Sequence, residues 1–353
     1  MTQSISASDL TDNPNFLLDS IDFRQGEIRF LEVSPATYRD SAFLDHRLQH
    51  AGDRAFSMPF AELARLTPML QQPRKPLHFL FHSAFCGSTL LSRCLTEPGT
   101  SFALREPRAT LDLATFKRQG GAHANPAFWL PFCELVFKLL KKTYNPAEWT
   151  LIKPTNIANN LLPEALAAAP HSQALFLYGD LDDFVVSNLK KGDEAERMTI
   201  LFARNFVLDS DYADTLHRCG RSLDGLDVAQ AAIVGWHSQM VAFTRMLEAA
   251  PRDRVRTLYH EDFLDTPTSA LAAAYRFYGT PLADDRLANI VDGPVLRQDA
   301  KHAGRDYSPA QRAADKAATR ARFQDRIDAA MAWAQPLLDA LPIPQRLPLP
   351  LLG

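Results

Sequence analysis

The sequence predicts an α/β fold: a mainly parallel central sheet covered by helices on both faces, three layers in all, with a small N-terminal extension. Three observations carry this. The runs LHFLFH (77–82), SFALRE (101–106), WTLIKP (149–154), QALFLYGD (173–180) and RVRTLYH (254–260) alternate with amphipathic stretches, the pattern of βαβ units around a sheet buried on both faces. The first run feeds directly into a turn with one glycine and two hydroxyls. A chain of 353 residues with 46% hydrophobic content is long enough for one large core.

In chain order, residues 1–76 read as an extension packed on the core. IDFRQGEIRFLEV places two short alternating runs around Gln25-Gly26, a hairpin signal, and the Pro-rich TPMLQQPRKP leads into the first core run. Residues 77–335 form the main domain. Within it Pro107 opens a helix over 107–116, and Trp129, Phe132, Val136 and Leu139 mark a buried helical stripe ended by Lys141-Lys142. The strongest helix covers 227–249: Asp227 and Gln230 make a capping box, and Ala229, Ile233, Trp236, Met240, Phe243 and Leu247 recur at helical spacing. His237 on it reads as structural. Residues 301–326 hold seven Lys/Arg against three Asp. KHAGRDYS reads there as a basic loop able to fold over phosphate, and the part from Ala310 as a solvated helix face. Residues 336–353 read as an extended, peripheral Pro-rich tail.

Composition excludes several classes. The net charge of -3 gives no global attraction to nucleic acid or anionic membrane, and no run approaches the roughly 18 apolar residues of a membrane span. The opening MTQSISASDLTDNPNF has no basic segment followed by an apolar run, so a cytoplasmic location is expected. Cys86, Cys94, Cys133 and Cys219 lack both disulfide-framework and zinc spacing. Cys86 alone sits where a helix N-terminus would acidify a thiol, against the plainer reading of a small residue in a tight turn.

Residues 77–91, LHFLFHSAFCGSTLL, build an anion cradle: a strand, a glycine turn with unpaired N–H groups, and a helix N-terminus. Aligned on Thr89, the nucleotide-hydrolase pattern G-x-x-x-x-G-K-[ST] puts Gly87 on its second glycine, Ser88 on its lysine and His82 on its first glycine. The missing lysine removes a donor of the kind worth about 3–4 kcal/mol in a transition state, which disfavours ATP hydrolysis. Ligands in such sheets lie beyond the carboxyl ends of the strands, so Ser83 to Thr89, Glu106, Lys153 and Asp180 to Ser187 share one crevice.

These segments together resemble the P-loop sulfotransferase family, with some similarity to its bacterial and tyrosylprotein-type members. Phe85-Cys86-Gly87-Ser88-Thr89 occupies the family's [KR]-S-G-T-T-type loop. Gly179 to Ser187 occupies its R-D-P-R-D-x-x-x-S segment, and VRTLYHEDFLDTP with AAYRFYGTPL its "Y-E-D-L…P" strand and "F-L-G-L-P" helix end. The resemblance spans roughly residues 77–310 in the family's order. It implies a P-loop-type fold and an enzyme that moves a sulfuryl group from 3′-phosphoadenosine 5′-phosphosulfate to a hydroxyl or amine of a small-molecule or peptide acceptor, without a metal.

Carried over residue by residue, the resemblance places Phe85, Cys86, Gly87, Ser88, Thr89 and Ser187 at the donor. Phe85 stands where the family has a lysine or arginine, and Gly179 where it has an arginine, so positive charge has to come from elsewhere. Lys153 takes the place of a lysine that stabilises the leaving oxygen, Glu106 that of a general base, and Lys301 and Arg305 resemble the basic loop over the 3′-phosphate. His82, at the end of the cradle strand, is a further candidate for charge in the pocket. Two alternatives stay open: a kinase-like phosphotransferase using Thr89, Asp180, ATP and magnesium, and a nucleotide-binding module without catalysis.

Overall fold

The computed structural model describes residues 7–50, 54–66, 75–298 and 309–353. Lys301 and Arg305, with the KHAGRDYS loop, lie outside the described residues, as does most of TPMLQQPRKP. The N-terminal hairpin is present as β1 (Phe16–Asp22) and β2 (Glu27–Glu32), paired antiparallel. Gly26 closes its turn at φ +70°, a backbone that favours glycine, while Asp22 Oδ1 accepts the N–H groups of Arg24 and Gln25. A third strand, β3 (Ala55–Pro59), adds to β2 and was not anticipated.

All five core runs form strands: β4 (Leu77–His82), β5 (Ser101–Arg105), β6 (Trp149–Lys153), β7 (Ala174–Tyr178) and β8 (Val255–Tyr259). They make one sheet in the order β5-β6-β4-β7-β8, with every pair parallel. Because successive side chains alternate faces, Phe79, Phe81, Ile152 and Phe176 meet helices Pro126–Leu140 and Val228–Ala249 on one side. Leu80, Leu151, Leu175, Leu177 and Leu258 meet Leu91, Phe263, Leu271 and Tyr275 on the other. Burying each such side chain contributes about 1.5–3 kcal/mol, which fixes the sheet and holds the strand ends rigidly. The fold is thus the expected α/β class, a five-stranded parallel sheet flanked by helices.

Helix Val228–Ala249 begins at its capping box: Asp227 Oδ1 accepts from Ala229 and Gln230, and Gln230 Oε1 accepts from Asp227 N. Such a cap is worth about 1 kcal/mol. It sets the helix so that Trp236 Nε1 donates to Gly179 O at 2.9 Å. His237 is buried between the Tyr212 hydroxyl and Leu341 O, a structural role.

One C-terminal expectation is corrected. Helix Gln324–Ala340 continues through Pro336, and the chain after it is not peripheral: Leu347 is buried, and Thr257 of β8 exchanges backbone hydrogen bonds with Leu349 and Leu351. Helix Pro309–Arg322 has no buried residue among those described, as expected of a solvated face, and its basic side chains make surface ion pairs. Arg312, Lys316 and Arg320, spaced one turn apart, reach Asp182 and Asp183. Among the described residues no helix is long and apolar enough to cross a membrane.

Candidate active site

The crevice lies at the carboxyl ends of β4, β5, β6 and β7. After β4 the chain turns through Ala84 (φ +69°), Phe85 (φ +53°) and Gly87 (φ +79°) into helix Ser88–Cys94. Left-handed residues in series curl backbone N–H groups into a concavity, and the first turn of the helix adds more unpaired donors. Among the described residues four non-glycines have positive φ, and three of them, Ala84, Phe85 and Glu106, are here. Strain of this kind costs on the order of 1–3 kcal/mol per residue and gathers where geometry serves function.

Cys86 is fully buried, and burial raises its thiol pKa. The acidified-nucleophile reading fails because desolvation outweighs the helix N-terminus. Ser83 Oγ accepts from Gly179 N at 3.1 Å, tying the cradle to the end of β7. Ser88 and Thr89 open the cradle helix and are themselves buried.

Glu106 and Lys153 end the adjacent strands β5 and β6. Lys153 Nζ lies 2.5 Å from Glu106 Oε1, and Glu106 N donates to Lys153 O at 2.6 Å. The lysine side chain is 0% exposed and the glutamate 16%, so Glu106 is the member that a ligand reaches from solvent. His82 closes the group: Nε2 lies 3.1 Å from Pro154 O, and Nδ1 lies 3.1 Å from Ala84 N. A carbonyl only accepts and an N–H only donates, so the ring is the neutral Nε2–H tautomer. Its Nε2 is 3.8 Å from Glu106 Oε1. The Lys153 charge is near enough to act on the Cys86 thiol.

Phe85 packs edge-on against Phe184 (centroids 5.3 Å), and Lys191 Nζ stands 4.3 Å above its ring. Ser187 is half-buried on helix Leu181–Leu189, one turn beyond Phe184 and therefore on the same face. At Gly179 a Cβ would stand 3.5 Å from both Cys86 Cβ and the His260 ring.

Four residues near the crevice carry no signal in the sequence. Phe43, from the N-terminal extension, presents its ring 5.5 Å from Lys153 Nζ. Its segment is held where Leu44 N donates to Arg105 O and the Arg105 guanidinium donates to Tyr38 O and Ser41 O. Lys191, Asn159 and His260 are likewise visible only in three dimensions. Asn159 Nδ2 donates to His82 O at 3.0 Å and also lines a cavity of about 540 Å³ with Lys117, Phe206, Gln239 and Arg245. Phe206 lines this cavity, whereas Phe116, Phe128 and Trp129 pack in or against the core.

No protein-family model and no curated protein matches the chain. It is similar to the solved sulfotransferase domain from the curacin biosynthetic pathway, at 13% identity over 65% of this chain and 82% of that one, with a TM-score of 0.40. It is also similar to sulfotransferase STF9 from Mycobacterium avium, at 14% identity over 80% and 81% of the two chains and a TM-score of 0.40. STF1 from Mycobacterium tuberculosis H37Rv matches at 14% identity over 71% and 77%, with a TM-score of 0.38. A likeness of this degree assigns no activity to the chain.

Proposed function

We propose that the protein transfers a sulfuryl group from 3′-phosphoadenosine 5′-phosphosulfate to a hydroxyl or amine. The observation that carries this is the Glu106–Lys153 contact beside a cradle that offers backbone and hydroxyl donors but no loop lysine. Such a site suits an anion already bearing its leaving group, with a base and a cation one strand away. Glu106 takes the proton of the acceptor group as its oxygen or nitrogen bonds to sulfur. The bond from sulfur to the bridging phosphate oxygen breaks, and the buried Lys153 charge, no longer neutralised once Glu106 has taken the proton, offsets the charge released on the 5′-phosphate. The Gly87–Thr89 backbone and hydroxyls hold the sulfuryl oxygens, with Ser187 and Lys191 at the nucleotide side. His82, with both nitrogens directed at backbone groups, acts as a positioning residue that braces the ends of β4 and β6. Positioning and fixed dipoles supply most of the rate in such in-line transfers.

A thermal-shift panel tests the donor: adenosine 3′,5′-bisphosphate is expected to stabilise the protein. Stabilisation only by ATP with magnesium overturns the sulfuryl reading in favour of a phosphotransferase. No response to either nucleotide overturns both enzyme readings and leaves a non-catalytic module.

A further inference from the structure

Beside the cradle, β7 and β8 end in register, Tyr178 opposite Tyr259. Asp180 is then the N-cap residue of helix Leu181–Leu189, and Glu261 lies in the first turn of helix His260–Asp265. The Tyr259 hydroxyl donates to Asp180 Oδ2 and lies 3.2 Å from Glu261 Oε2. One phenolic proton cannot satisfy two carboxylates. The nearby cations are engaged elsewhere: Arg312, Lys316 and Arg320 with Asp182 and Asp183, and Arg346 with Asp262 at 2.6 Å. Among the described residues neither Asp180 nor Glu261 has a cationic partner.

His260 supplies the second, independent observation. It is 1% exposed, yet neither ring nitrogen has a hydrogen-bond partner; Nε2 is 3.5 Å from Asp183 Oδ2 without forming one. Buried polar atoms left unpaired call for a missing water or ion. A ring nitrogen of His260 and one oxygen each of Asp180 and Glu261 lie within 4.8 Å of one another.

We propose that Asp180, His260 and Glu261 bind one divalent transition-metal ion of the zinc class. One imidazole nitrogen with two carboxylate oxygens suits zinc better than magnesium, which prefers oxygen and water. Bonds of about 2.0–2.2 Å require donor atoms roughly 3–3.5 Å apart, and the exposed Glu261 is free to close that gap. The His260 ring and Cys86 flank the Gly179 backbone. The ligand His260 thus borders the Gly179 backbone beside Cys86 of the cradle turn. On the sulfuryl-transfer reading, the ion supplies charge beside the anionic donor where Phe85 and Gly179 bring none.

The test is calorimetric titration of the chelator-stripped full chain with Zn²⁺, read without nucleotide so that it is independent of the transfer reaction. One equivalent is expected to bind. Glu261→Gln, a change at an exposed side chain, and His260→Gln are each expected to weaken binding about tenfold or more. No uptake, or equal affinity in both variants, overturns the site. Cobalt(II) gives a second reading: a thiolate charge-transfer band would move the ion to a cysteine and also overturn it. Adenosine 3′,5′-bisphosphate is expected to bind at least about fivefold more tightly to the zinc-loaded protein, and equal affinity overturns the charge-supplying role.

Discussion

Lys153 Nζ lies 2.5 Å from Glu106 Oε1 at the ends of two neighbouring strands, the lysine buried completely and the glutamate still touching solvent. The asymmetry separates two variants. Glu106→Gln leaves the fully buried ammonium without its carboxylate, the situation that costs about 3–5 kcal/mol. Lys153→Met leaves a glutamate that water can rehydrate, so it is expected to destabilise less in chemical denaturation. Both are expected to lower sulfuryl transfer by about 10²–10⁴-fold. The double variant is expected to recover stability without activity. Equal stability losses, or activity retained in Lys153→Met, would contradict the roles given to the pair.

Lys191 stands over the ring of Phe85 in the cradle turn. An exposed cation–π contact is worth about 0.5–1 kcal/mol, so Lys191→Gln is expected to change the denaturation midpoint little. Its charge lies beside the cradle, however, and the variant is expected to bind adenosine 3′,5′-bisphosphate about threefold to tenfold more weakly at low ionic strength. The difference is expected to fade with added salt as the Debye length shrinks. A difference unchanged by salt would point to lost packing in place of lost charge.

The five core strands were legible because each is buried on both faces and reads as an apolar run. The hairpin and the capped helix were legible because Gln25-Gly26, Asp227 and Gln230 act locally. What was not legible depended on distant partners. β3, AFSMP, is exposed along much of its length and lacks β-branched residues, so only its pairing to β2 defines it. Phe43 reaches Lys153 from across the fold, and the basic face of helix Pro309–Arg322 finds Asp182 and Asp183 more than a hundred positions earlier. The rule that ligands lie beyond the strand ends is enough to bring Glu106 and Lys153 to one place beside the cradle. It gave no hint that His82 would direct both nitrogens at backbone groups.

The last residues close the edge of β8, and Leu347 is 2% exposed with its N–H donating to the Tyr178 hydroxyl at 2.9 Å. Leu347→Ala is expected to destabilise the protein by about 2–5 kcal/mol, the range for a leucine deleted from a core. Removing residues 347–353 is expected to expose the β8 edge as well and to promote self-association, measured by light scattering during refolding. A truncated protein as stable and monodisperse as the full chain would show that the tail is dispensable.

Lys142 gives the fold a pH dependence of its own. Its ammonium is buried and donates to two backbone carbonyls, Leu10 O at 3.1 Å and Phe16 O. Burial is the main cause that lowers its pKa from 10.5 to about 7, with Asp12 opposing. Between about pH 7 and 10.5 the unfolded chain therefore holds a proton that the folded protein lacks. Stability must rise with pH across that window, by up to about 1.4 kcal/mol per unit from this group. Below it both states are protonated, and the full cost of the buried charge remains. Lys142→Met removes the titrating amine and keeps the apolar stem, so it is expected to flatten the rise in denaturation midpoint between pH 7 and 9. It is also expected to be more stable than the wild type at pH 6. Parallel curves for the two proteins would show that the amine keeps its charge in the folded state, held by the two carbonyls alone.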